Sequence, residues 1–141
     1  MNRIRSTIFV ATACILAGCG NKSLTQEQRH AWQQEQARLH DIPVPIMAEP
    51  DFAYTWSDDT NGSRVLGFLV TADTTQELVT FYQANMERLG WRERVRINGR
   101  EVLIEFEKPE KLCCVSVRPE GEEKMRLVLS VGCIDNEQLY S

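Results

Sequence analysis

Apolar residues recur with two different periods along the chain, and each change of period marks an element. Leu78, Phe81, Tyr82, Met86 and Leu89 follow the i, i+3, i+4 spacing of one helical face. Thr74-Thr75-Gln76-Glu77 places an N-cap threonine three residues before a glutamate, a capping box. Gly90 supplies the left-handed C-cap, and Trp91 is placed to fold back onto the last turn. The spacing therefore predicts a helix over 75–89, its aromatic and Met stripe packing against a sheet. Elsewhere the period is two. Phe52, Tyr54 and Trp56 alternate on one strand face, and Arg64 to Thr71 returns as a second strand across the turn-forming run 57–63. Asn98-Gly99 is a strong hairpin signal. A two-residue turn there pairs Ile97 with Arg100, Val95 with Val102, Glu93 with Ile104 and Trp91 with Phe106. One face then carries Trp91, Val95, Ile97, Val102, Ile104 and Phe106; the other sets Arg92, Arg94 and Arg96 against Glu105, Leu103 and Glu101. Leu112 to Arg118 and Met125 to Ile134 read as two further strands. The expected fold is α+β, an antiparallel sheet with one helix packed on it, in the order β-β-α-β-β-β-β.

The first 41 residues break this pattern. Arg3 and Arg5 precede an apolar run from Ile8 to Leu16, too short for a spanning helix of about 20 residues. Leu16-Ala17-Gly18-Cys19 resembles the lipobox of bacterial lipoproteins. That resemblance implies a signal peptide over 1–18 and Cys19 as a mature N-terminus carrying diacylglycerol and a further acyl chain such as palmitate. Gly20 rather than aspartate follows the cysteine, which implies the outer membrane, facing the periplasm. Residues 19–41 are polar and form a tether, helical or flexible. Thr25 and Gln28 make a capping box for a helix to about Leu39, with a thin stripe of Ala31, Trp32, Ala37 and Leu39. Ile42-Pro43-Val44-Pro45 enforces extended backbone. A single domain over 42–135 and a polar tail over 136–141 complete the division.

Charge narrows the function. Loss of residues 1–18 removes Arg3 and Arg5 and no acid, so the formal charge moves from −4 to −6. A net-acidic chain argues against nucleic-acid binding. Both histidines, His30 and His40, lie in the tether, so the domain has no imidazole for base or metal work. No glycine-rich phosphate loop is present. The Asp58–Gly62 run superficially resembles a calcium loop but lacks the closing glutamate. No catalytic constellation is visible, and no cofactor or metal is implied.

Three cysteines remain in the domain. Cys113 shares a strand face with Val115 and Val117, and that face meets Leu129, Val131 and Cys133. A Cys113–Cys133 disulfide forms if the two are directly opposite; a diagonal register leaves them thiols. Without a Cys-x-x-Cys motif or a fourth ligand, redox and zinc readings have little support. Arg92, Arg94 and Arg96 are the candidate binding surface, for an anionic lipid, a glycan or an acidic partner, against a plain ion ladder with Glu101 and Glu105. Leu103 leaves Arg94 without a directly opposite carboxylate. Trp32 is a second candidate, for a partner protein.

From Asp41 onward the chain resembles an uncharacterised family of small α+β periplasmic lipoproteins. The matching features are Asp41-Ile42-Pro43-Val44-Pro45, Tyr82 with Met86, Gly90-Trp91, Phe106-Glu107-Lys108 and Cys114-Val115. The resemblance implies fold and compartment and brings no catalytic residues. The expectation is a lipid-anchored envelope lipoprotein, a non-catalytic module that binds an envelope protein. The alternatives are a small-ligand, lipid or glycan module with a groove between helix and sheet near Trp56, Tyr82 or Trp91, and a thiol-dependent enzyme.

Overall fold

The computed structural model describes residues 25–58 and 60–134, without the side chains of 35–38. In order, the elements are α1 (Gln26–Arg38), β1 (Ala48–Asp58), β2 (Ser63–Thr71), α2 (Thr75–Arg88), β3 (Arg92–Ile97), β4 (Val102–Lys108), β5 (Lys111–Pro119) and β6 (Lys124–Cys133). Among the described residues the fold is α+β: an open six-stranded antiparallel sheet with two helices. Strand order is β1-β2-β6-β5-β4-β3. The order differs slightly from β-β-α-β-β-β-β, because a packed helix precedes the first strand.

Local chemistry sets the ends of the helices. Gln28 N–H donates to Thr25 Oγ1 at 3.2 Å and Thr25 N–H to Gln28 Oε1 at 3.1 Å, a reciprocal capping box. Thr74 caps α2 by accepting from Glu77 N–H, and the Glu77 carboxylate reaches Asp73 N–H, one residue earlier than the usual box. At the other end Gly90 takes φ +85°, Gly90 N–H donates to Glu87 and Trp91 N–H to Met86. This is a Schellman motif, which satisfies carbonyls the helix leaves open.

One sheet face holds the core in continuous rows. Ile104, Val115, Leu129 and Leu66 are neighbours across β4, β5, β6 and β2; Val102, Val117, Leu127 and Phe68 form the next row. α2 lays Leu78, Val79, Tyr82 and Met86 on them. The expected spacer also contributes: Trp32 packs edge-on to Phe68 with ring centroids 5.0 Å apart and to Phe52 at 6.4 Å, and Leu39 and Ile42 are buried.

Two registers depart from the expected ones. β3 and β4 pair Arg92 with Glu107 and Glu93 with Phe106, then slip at Arg94 to pair Val95 with Glu105, Arg96 with Ile104 and Ile97 with Leu103. The Asn98-Gly99 dipeptide therefore sits in a longer loop. The cap is the physical reason: Trp91 is held by Met86 through its N–H and by the Asp41 carbonyl through its indole N–H at 2.7 Å. With Trp91 fixed, the strand starts at Arg92, and the bulge at Arg94 turns Val95 and Ile97 onto the open face. In β1 the register slips between Asp51 and Trp56. Phe52 packs toward the core while Tyr54 and Trp56 lie on the open face, so the three do not share one side.

Candidate interaction face

No described element covers the second face of the sheet. Across its middle run Leu103, Ser116, Val128 and Gly67 as neighbours, and beside them Glu105, Cys114, Ser130 and Val65. Most of these are half-buried. The two margins are apolar and open: Tyr54 is 42 % and Trp56 54 % exposed on β1, and Val95 is 47 % and Ile97 56 % exposed on β3. With strands about 4.8 Å apart, the margins lie roughly 24 Å from each other.

The Tyr54 margin is built by a close approach. A Cβ on Gly67 would stand 2.3 Å from Tyr54 Cβ, so the bulged segment of β1 lies directly on the Gly67 backbone. Gly67 N–H donates to Thr55 Oγ1, and Thr55 Oγ1–H donates to Asp51 O. The Tyr54 ring covers the Arg126 guanidinium at 4.1 Å. Arg126 is only 8 % exposed and is held by the Asp51 carboxylate and by Glu120 at 3.1 Å. The Glu120 carboxyl is held below its ordinary range by the Arg126 hydrogen bond, and the Arg126 guanidinium is correspondingly harder to deprotonate. Arg118, directly opposite Arg126, donates to Tyr54 Oη at 3.4 Å.

The arginine row does not survive as a cationic patch. Arg92 pairs with Glu107, Arg94 with Glu105 at 3.2 Å and Glu107 at 3.7 Å, and Arg96 with Glu93 at 2.6 Å. Arg94 thus has two carboxylates, and the bulge puts Arg96 opposite Ile104, on the side away from Arg92. Charge is cancelled locally, and an anion gains little there. Trp32 is not a surface residue either: it is 8 % exposed because Phe68 and Phe52 enclose it.

Of the two cysteine registers left open, the structure takes the diagonal one, so the possible Cys113–Cys133 disulfide does not form. Cys113 stands opposite Val131, and Cys133 opposite Lys111, so the two sulfurs are diagonal neighbours; Cys113, Cys114 and Cys133 are free thiols. Burial, with Cys114 and Asp41 nearby, pushes the Cys113 thiol up to about 12. Burial and the Glu105 and Glu101 carboxylates raise that of Cys114. Both shifts oppose the thiolate that nucleophilic or redox chemistry needs. Cys19 lies outside the described residues.

The recess left between α2 and the β3 edge is lined mainly by polar and charged side chains, Gln83, Glu87, Arg92 and Glu93, with Trp91 and Phe106 at its base. Tyr82 is fully buried and Trp91 is 3 % exposed. Among the described residues no group of three or more His, Cys, Asp or Glu is arranged to hold a metal. The Asp58 and Asn61 side chains are used within their own turn: Asp58 accepts from Thr60, and Asn61 from Ser63 N–H.

The sequence reading missed the Tyr54–Arg126–Asp51 cluster. Its one signal was Gly67, a glycine inside a strand, which often marks close approach of another backbone. No family model, curated protein or solved structure matches the chain.

Proposed function

We propose that the protein is a lipid-anchored cell-envelope lipoprotein whose open sheet face binds a protein partner without catalysing a reaction. One observation carries this reading: one face is packed by helices, while the other keeps Tyr54, Trp56, Val95 and Ile97 open with its charges paired off. Exposed aromatic and branched side chains at the margins of a neutral face suit a partner that brings apolar surface. The span of roughly 24 Å between the margins is about twice the 10–12 Å diameter of a helix, so it admits an amphipathic helix with room to spare. The raised thiols of Cys113 and Cys114 speak against the enzyme reading, and the burial of Tyr82 and Trp91, with the charged lining of the recess beside α2, against the ligand-groove reading. Lipidation at Cys19, with outer-membrane attachment facing the periplasm, supplies the membrane contact and holds the face near envelope partners.

The test is in-cell photo-crosslinking from a reactive residue placed at Trp56 or Val95, with Gln76 and Thr80 on exposed α2 as controls. The expected outcome is one envelope partner captured from both sheet positions, in reduced yield in the Cys19→Ala chain. Capture only from the helix positions would overturn the assignment of the face.

A further inference from the structure

Ile46 and Met47 are 100 % and 68 % exposed. They are the two central residues of a tight turn, closed by Ala48 N–H donating to Pro45 O at 3.0 Å. Turn tips in water favour glycine, asparagine and aspartate, for conformational and hydrogen-bonding reasons. Here the tip carries two large apolar side chains, stiffened by Pro43 and Pro45, and neither is packed into the core.

The position of this tip in the fold says what it meets. Trp32 of α1 stands beside Phe68 of β2, while Leu39, beyond the end of α1, lines a recess with Arg64 and Val131. The helix therefore runs alongside β2 from the level of Phe68 toward Arg64. Seven residues back from Trp32, at about 1.5 Å each, Thr25 falls near the level of Thr71. Ala48 pairs with Val70, so the Ile46–Met47 turn lies at this same end of the sheet. Six residue steps separate Cys19 from Thr25, a reach of roughly 20 Å when fully extended. Thr25, from which Cys19 is within this reach, and the apolar turn thus share one end of the sheet.

We infer that the Ile46–Met47 turn is a second membrane contact, dipping into the headgroup boundary beside the Cys19 anchor and setting the domain's orientation on the bilayer. The inference rests on the lipid anchoring proposed above. Its chemistry is apolar: Glu49 lies next to the turn, and Glu122 and Glu123 sit on the β5–β6 connection at the same end. Those acids do not favour anionic headgroups, so the contact persists on a zwitterionic bilayer and at high salt.

Methionine methyl groups give a direct test. The full acylated chain, carbon-13 labelled at methionine methyls, is placed in phosphatidylcholine nanodiscs containing lipid spin-labelled near the headgroup. Met125 is buried at the start of β6, at the end of the sheet that carries the turn; Met86 is buried toward the far end, where Trp91 N–H meets its carbonyl. The expected result is graded loss of signal, greatest for Met47, less for Met125 and least for Met86, reduced at Met47 by Ile46→Ser. A Met47 signal no weaker than that of Met86, in a chain whose acylation mass spectrometry has verified, would overturn the contact and leave the anchor standing. An unmodified Cys19 would overturn the anchor and the inference with it.

Discussion

At Gly67 the backbone of β1 comes so close to β2 that a methyl group has no place to go. The obstruction is Tyr54 Cβ and the carbonyls of Asp51 and Tyr54, at 3.2 Å each, rather than a flexible tip. Gly67→Ala should cost about 2–3 kcal/mol, a value in the range for overpacking. Thermal unfolding checks it, and a shift within error would mean that the bulge yields freely. Tyr82 gives the opposite sign. Its hydroxyl is buried and finds no hydrogen-bond partner among the described residues. Burial, then proximity to Cys113, drives its ionisation well above the ordinary range, so it stays a neutral phenol. Tyr82→Phe should leave stability unchanged or raise it by up to about 1 kcal/mol. A measured loss above that size in urea unfolding would reveal a partner for the hydroxyl.

Among the elements, the helices were the most legible. Thr25 with Gln28, Thr74 with Glu77 and Gly90 with Trp91 are signals within a few residues of each other, and the structure uses all of them. The alternations in Leu112–Arg118 and Met125–Ile134 likewise place Val115, Val117, Leu127 and Leu129 in the core. Registers were less legible, because distant partners decide them. The β3–β4 pairing follows from the hold of Asp41 and Met86 on Trp91, fifty residues from the first of these. No local reading of Asn98-Gly99 contains that contact. The open face was illegible for the same reason: its margins are made by two bulges, at Arg94 and between Asp51 and Trp56. The role of α1 turned on one side chain. Its polar composition reads as a spacer, yet Trp32 docks it on Phe68 and Phe52. Trp32→Ala should cost about 3–5 kcal/mol. A cost below about 1 kcal/mol in the same urea assay would return α1 to the status of a loose tether.

For the whole molecule, Asp41 ties the chain entering the sheet to the β4–β5 hairpin. Its carboxylate meets Lys108 at 3.3 Å and Lys111 at 3.5 Å, while its carbonyl takes the Trp91 indole. Burial alone would raise the Asp41 carboxyl. The Lys108 hydrogen bond and the charges of Lys111 and Lys108 outweigh it, and the group is held below its ordinary value of 3.8. A lowered folded value means stability that is fully present above the ordinary carboxylate range and lost as pH falls through the folded value. Asp41→Asn should therefore cost about 1–2 kcal/mol at neutral pH. That difference from the parent chain should shrink as pH is taken below 3.8. A difference independent of pH would show that the carboxylate charge contributes nothing. The same architecture leaves one sheet face packed and the other open, which is the basis of the proposed interaction face. The most direct measurement is hydroxyl-radical footprinting of Trp56, 54 % exposed in the isolated chain, in intact envelopes and in purified protein. Strong protection of Trp56 in envelopes, relative to the purified protein, is the expected result. Equal oxidation of Trp56 in both states would contradict it.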